Sequence, residues 1–112
     1  MKISKSKFEK IVYQKFLKIP KNIRKKIENL EIIVEEKSNS NLLGLYFGIP
    51  FSKRKTPFYS LVLPDRIILF KNEIEKFCKT EQELENLIEK VLLHEIGHYL
   101  GLDEKSLKKL GL

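Results

Sequence analysis

The sequence has the length and composition of one globular domain over residues 1–112, with 42% hydrophobic and 33% charged residues and a formal net charge of +7. No apolar run approaches the roughly 20 residues that a membrane span needs, and the N-terminus has no apolar segment typical of a secretory signal. The single cysteine, Cys78, excludes an internal disulfide framework and favours a reducing cytoplasm, so we expect a cytoplasmic protein without a membrane partner.

Positive charge is concentrated in the first quarter of the chain. Residues 1–26 contain ten Lys or Arg and one acidic residue, Glu9, whereas residues 27–112 contain twelve basic and fourteen acidic residues. A basic segment can bind nucleic acid or an acidic partner. Here lysine dominates, and aromatic residues do not alternate with it as base-stacking side chains would. We therefore favour a solvated helix surface over a nucleic-acid site, which stays an alternative.

Two helices are predicted at the start of the chain. Ser6 and Glu9 form a capping-box pair, and apolar residues at helical spacing follow them, so the first helix is expected to have Ser6 as its cap. Pro20 should end it, because proline cannot continue a helix. A short second helix should follow. Its inward side chains are expected to be Ile23, Ile27 and Leu30.

Three strands are predicted in the middle of the chain, at 31–36 (EIIVEE), 42–50 (LLGLYFGIP) and 66–70. The second contains two glycines, and a glycine inside a strand indicates a bulge or a close backbone approach. A polar loop bounded by proline, 51–60 (FSKRKTPFYS), leads toward the third strand.

Two helices follow the third strand, and a short terminal helix is expected at 104–110. Asn72 is the expected cap of the first, and Thr80 with Glu83 forms a capping box at the start of a longer one. This order predicts an α+β fold, in which a small mixed sheet of three or four strands packs against helices. The longer of these helices, after Thr80, lies near the C-terminus and is the expected active-site helix for the reasons that follow.

The helix after Thr80 carries the residues with metal chemistry. Its apolar stripe is formed by Leu84, Leu87, Ile88 and Val91, at 100° per residue. The same stripe continues through His94, Glu95 and His98. Burying two imidazoles and a carboxylate without partners would cost several kcal/mol, whereas a bound divalent cation removes that penalty.

His94 and His98 are four residues apart, so their side chains project side by side and can each offer a ring nitrogen to one zinc ion. Glu95 suits the role of a general base that activates water beside the metal. The alternative for two histidines on an apolar face is a hydrogen-bonded core pair. The H-E-x-x-H pattern on a predicted helix favours the metal site.

A catalytic zinc site needs a third protein ligand. Only residues 99–112 follow the second histidine, so we expect a local ligand rather than a glutamate on a distant helix, as in thermolysin-like enzymes. Gly101 can adopt the left-handed conformation that ends a helix and turns the chain back. In the extended pattern H-E-x-x-H-x-x-G-x-x-(H/D), the third-ligand position is Glu104. Asp103 is the fallback ligand, or the N-cap of the terminal helix.

The sequence resembles a family of small bacterial proteins, the minimal zincin-like metallopeptidases. The resemblance rests on LLGLYFGIP, PDRIILFKNEIE and VLLHEIGHYLGLDEKSL. It implies a zincin-like fold with His94 and His98 as zinc ligands, Glu95 as general base and an acidic third ligand. The family usually has Asp at the position of Glu104. Metzincins share the motif but also have a methionine turn downstream, and Met1 is the only methionine here.

The motif favours a zinc-dependent peptidase with one Zn²⁺ per chain and a peptide or protein substrate. In zincins an extended substrate lies along an edge strand, and strand 42–49 or 66–70 could serve. The candidates for stabilising the oxyanion are Tyr46, Tyr59, Arg66 and Tyr99. One alternative is a zinc-binding domain that holds a peptide or partner with little turnover. The other is a nucleic-acid- or ribosome-associated module.

Overall fold

The computed structural model describes residues 1–49 and 64–112, and the whole predicted loop 51–60, with Tyr59, lies outside them. The elements are α1 (Lys5–Leu17), α2 (Lys21–Arg24), β1 (Leu30–Glu35), β2 (Gly44–Phe47), β3 (Asp65–Phe70), α3 (Lys71–Glu75), α4 (Glu81–Tyr99) and α5 (Glu104–Lys109). This order confirms the predicted α+β class. None of the described helices is both long and apolar enough to span a bilayer.

The first helix begins two residues earlier than predicted. Ser4 is its N-cap, with extended backbone angles, and the Ser4 hydroxyl accepts a hydrogen bond from the backbone N–H of Lys7 at 3.2 Å. The predicted capping box of Ser6 with Glu9 is therefore wrong, because Ser6 already lies inside the helix. Both serines have the side chain that a cap needs, and backbone conformation decides between them.

The second helix is shorter than predicted. It ends at Arg24, whereas Ile23, Ile27 and Leu30 all pack against the core as expected. Five residues later, a left-handed backbone at Asn29, with a φ of +51°, leads the chain into β1 at Leu30.

Of the caps predicted for the two helices after β3, one is wrong and one is confirmed. The predicted cap of Asn72 is wrong: α3 starts at Lys71 directly after β3, and the backbone N–H of Asn72 donates to the carbonyl oxygen of Glu36 at 2.9 Å. The capping box of Thr80 with Glu83 is confirmed, and it starts α4 where the sequence predicts it.

The three strands form a mixed sheet in the order β1-β3-β2. β1 runs parallel to β3 from Leu30 opposite Asp65, and β2 runs antiparallel to β3. β3 therefore has a neighbour on both sides and cannot be the edge strand. The prediction that strand 66–70 could be the edge strand beside an extended substrate is wrong. Within the described residues β2 is the outer strand on the side of α4.

Gly44 explains how β2 can pass so close to α4. A Cβ atom at Gly44 would lie 2.7 Å from Cγ1 of Val91 and 3.1 Å from Cγ of Glu95. The prediction of a close approach is confirmed, although the partner is the side-chain surface of a helix. The strand is also shorter than the predicted 42–50, because only four residues pair with β3.

The core lies where α1, α4 and the sheet meet, and its completely buried members include Phe8, Ile67, Leu69, Leu84, Ile88 and Leu92. Part of the N-terminal positive charge stabilises this packing. Lys15 is 7% exposed, and its ammonium lies 3.2 Å from a carboxylate oxygen of Glu89. Lys7 pairs with Glu81 at 2.7 Å. Two of the ten basic residues of the first quarter thus join α1 to α4.

Candidate metal centre

The C-terminal half of α4 presents His94, Glu95 and His98 to a cleft between β2 and α5. The two imidazole rings lie side by side, with centroids 4.9 Å apart and an interplanar angle of 79°. Each histidine side chain is about one-quarter exposed. The rings are thus held by the helix and still reach the cleft.

The turn after α4 brings the chain back toward these rings. The backbone N–H of Leu102 donates to the carbonyl oxygen of Gly97, and the N–H of Gly101 donates to that of His98, both at 2.9 Å. Gly101 has a φ of +97°, the left-handed conformation that this helix ending requires. The predicted role of Gly101 is confirmed.

The fifth helix starts directly after this turn. The carboxylate of Asp103 accepts the backbone N–H of Ser106 at 2.8 Å, so Asp103 is the N-cap of α5. This hydrogen bond lowers the pKa of Asp103. Glu104 is the first residue of the helix, and its side chain turns back toward α4. The structure therefore separates the two acids, one as a cap and one beside the histidines.

Glu104 completes a cluster of three ligand atoms. Its Oε1 lies 2.7 Å from Nε2 of His98 and 3.2 Å from Nε2 of His94. All three atoms are within 4.8 Å of one another, and among the described residues this is the group of three that could hold a metal ion. Tetrahedral zinc with bonds of about 2.0–2.2 Å places its ligand atoms roughly 3.3–3.6 Å apart. The 3.2 Å separation is close to that range, whereas the 2.7 Å separation is a hydrogen-bond distance that a bound ion would widen. Two imidazoles and a carboxylate are a donor set that suits zinc.

The hydrogen bonding of His98 also points to a cation. Its Nδ1 lies 3.0 Å from the carbonyl oxygen of Leu102, which only accepts, so Nδ1 carries a hydrogen and donates it. The Nε2 atom then faces the carboxylate of Glu104 and needs a second proton or a metal ion between them. Metal-bound histidines commonly donate the other ring N–H to a carbonyl in this way.

Glu95 lies next to the cluster but is not part of it. Its side chain is 8% exposed, and the backbone N–H of Tyr46 hydrogen-bonds to its carboxylate. Burial raises the pKa of Glu95, and the imidazoles of His98 and His94 partly offset that effect. A carboxyl whose pKa is shifted toward neutral pH exchanges a proton more readily, as a general base must.

The oxyanion candidates occupy different places. Tyr46 lines the cleft, but its hydroxyl donates to Oδ2 of Asp65 at 2.6 Å. The Tyr99 hydroxyl donates to the backbone oxygen of Glu28, and Tyr99 is completely buried. Arg66 pairs with an acid of β1, and Tyr59 lies outside the described residues. Of the three that the structure describes, only Tyr46 lines the cleft.

The sequence model of the zincin-like metallopeptidases matches residues 23–112. The chain belongs to this family. The match includes α4, the turn and α5, and it confirms the resemblance inferred from the sequence motifs. A search of curated proteins found no match.

Two residues near the site of this zincin-like metallopeptidase were not predicted from the sequence. Asp65 is 3% exposed behind the site, where it accepts the hydroxyl of Tyr46. Gly97, inside the H-E-x-x-H motif, leaves room for Leu107 of α5. The glycine within the motif is a signal that could have revealed the close contact of α5, since a helix interior disfavours glycine by about 1 kcal/mol.

Gly97→Ala is expected to destabilise the fold by roughly 1–3 kcal/mol and to weaken zinc binding. An added methyl group would overlap Cδ2 of Leu107, which is completely buried and has no solvent to withdraw into. The overlap should displace α5 and with it Glu104. Urea unfolding and zinc titration measure the two effects.

Leu107→Ala supplies the control for this prediction. Removing the overlapping methyl groups should make the destabilisation by Gly97→Ala clearly smaller in the Leu107→Ala background. An equal effect in both backgrounds, or a gain in stability from the alanine, would show that the contact does not position α5.

Proposed function

We propose that this protein is a zinc-dependent peptidase, in which His94, His98 and Glu104 hold the ion and Glu95 is the general base. The observation that carries the proposal is the convergence of three ligand atoms within 4.8 Å beside a buried carboxylate that lines the same open cleft. Family membership supports it at the level of the fold and the reaction class.

Bound zinc would activate a water molecule and polarise the carbonyl group of the peptide. Glu95 takes one proton from that water as the oxygen adds to the carbonyl carbon. It then returns the proton to the leaving nitrogen as the C–N bond breaks, and so ends the cycle ionised as it began. Its burial and its hydrogen bond from β2 hold the carboxylate in place for both transfers.

The outer edge of β2 offers a place for an extended substrate. The carbonyl oxygen of Leu43 accepts from Phe70, so alternate residues of this segment direct their backbone groups to β3. Gly44, the next residue, directs its backbone groups to the opposite edge and lines the cleft. A peptide beside β2 can pair with this backbone while its carbonyl group lies near the histidines.

The proposal is tested on a peptide library derived from a digested proteome. Zinc-loaded protein should create new peptide ends that mass spectrometry identifies. A zinc chelator should suppress them, and added zinc should restore them. Cleavage that persists with the chelator, or no cleavage by protein carrying one zinc ion per chain, would contradict a zinc peptidase.

A zinc-binding module with little turnover is the second candidate. The observation that favours it is the hydroxyl of Tyr46, which is committed to Asp65 and does not point to a substrate oxygen as a donor. Peptides that bind to zinc-loaded protein and stay intact would support this candidate. The nucleic-acid alternative has less support, since Lys7 and Lys15 pair with acids of α4.

A further inference from the structure

A second groove leaves the metal centre along α4, toward the N-terminal end of the helix. It has a volume of about 280 Å³ and ends at His94 and Glu95. Its walls are largely apolar and are formed by Leu43, Leu87 and Val91. Gly44 borders both this groove and the catalytic cleft, so one leads into the other.

Lys90 stands at the wall of this groove, one helical turn before His94. Its side chain is exposed, and none of the ion pairs found between described residues involves it. Glu83 lines a neighbouring depression together with Lys90, but its carboxylate accepts the backbone N–H groups of Lys79 and Thr80. The ammonium group of Lys90 is therefore available to an anion in the groove.

The distance from Lys90 to the metal centre corresponds to a short stretch of extended peptide. Four residues of α-helix rise about 6 Å. Both side chains lean toward the N-terminus, and the longer side chain of Lys90 extends farther in that direction than the imidazole of His94, which adds to the separation. An extended peptide advances about 3.3–3.6 Å per residue. The ammonium group thus lies about two to three residues along a substrate from the bond at the histidines.

We propose that Lys90 is a specificity residue, which selects peptides with a carboxylate about two to three residues from the scissile bond and an apolar side chain in the groove between. The inference rests on the proposed function for the position of the scissile bond. Because Lys90 is exposed, water screens this attraction and the expected preference is modest. The carboxylate can belong to an acidic side chain or to the C-terminus of the peptide.

Fluorescent peptides bound to the Glu95→Gln protein test this inference without cleavage, with and without zinc. Four peptides have the same sequence, including one leucine for the apolar groove. They differ only at the position two residues after this leucine. They carry Glu, Gln, a free C-terminus or an amidated C-terminus at that position. The Glu peptide or the free-acid peptide should bind roughly three- to tenfold more tightly than its neutral counterpart, and whichever does identifies the source of the carboxylate.

Substitutions at Lys90 give the decisive comparison. Lys90→Gln should abolish the preference for the carboxylate, and Lys90→Glu should reverse it. Lys18→Glu is the matched control, since Lys18 is an exposed lysine at the end of α1, outside the groove, and should leave the preference intact. Equal binding of charged and neutral peptides, no binding of any of them, or a preference that survives Lys90→Gln would overturn the inference.

Cleavage of the same four peptides by the wild-type protein separates this inference from the proposed function. A carboxylate preference in binding without any cleavage supports the role of Lys90 and contradicts the peptidase. Cleavage that is equally fast for charged and neutral peptides supports the peptidase and contradicts the role of Lys90.

Discussion

Glu95→Gln is expected to lower the rate of peptide cleavage roughly a hundred- to ten-thousandfold while zinc stays bound. The amide has nearly the shape of the carboxylate but cannot take a proton from water. Glu95 is not one of the three clustered ligand atoms, so its replacement should leave the zinc stoichiometry at one. Initial cleavage rates and metal content, measured on the same preparations, check both parts.

Glu89→Gln is the matched control on the same helix. Glu89 pairs with Lys15 on the side of α4 that faces α1, away from the cleft. Its replacement should leave the cleavage rate unchanged. The metal-free Glu95→Gln protein should also be at least as stable as the metal-free wild type near neutral pH, because burial disfavours the charged carboxyl that the amide replaces. Cleavage at the wild-type rate by Glu95→Gln would remove this residue from the mechanism.

Glu104→Ala is expected to weaken zinc binding by roughly a hundredfold or more, since structural zinc sites with four ligands gain about 10–16 kcal/mol and each ligand contributes a large share. Its Oε1 is the atom that both histidine Nε2 atoms face. His94→Ala together with His98→Ala should remove zinc binding altogether. Competition with a chromophoric chelator measures the affinities.

Asp103→Ala is the control that separates the two adjacent acids. Asp103 caps α5 through Ser106, so its loss should loosen the start of that helix and reduce zinc affinity far less than the loss of Glu104. A larger effect from Asp103→Ala than from Glu104→Ala would mean that the ligand is Asp103 and that the assignment of the third ligand is wrong.

The elements predicted most accurately from the sequence are those specified by local interactions. Thr80 and Glu83 satisfy each other's backbone groups within one turn, so the start of α4 can be read from four residues. The turn at Gly101 likewise depends on one left-handed residue. The boundaries that were wrong, at Ser6 and Asn72, depend on where the neighbouring chain directs the backbone, and no local pattern contains that information.

In the candidate site, too, local spacing predicts some features and tertiary packing determines the others. His94 and His98 lie side by side because of helical spacing alone, so their proximity could be predicted. The spacing of the extended motif favoured Glu104 over Asp103, but the physical reason could not be predicted, because it depends on the direction in which α5 leaves the turn. That direction is set by the packing of Leu107 against Gly97. The central position of β3 and the groove beside Lys90 also arise from contacts between distant segments.

The most direct test of the account is to locate the metal in crystals of the zinc-loaded protein, with diffraction data collected on both sides of the zinc absorption edge. We predict one zinc ion per chain, at about 2.0–2.2 Å from Nε2 of His94, Nε2 of His98 and a carboxylate oxygen of Glu104. An ion at another place, histidine rings that point away from each other, or Asp103 bound in place of Glu104 would contradict it.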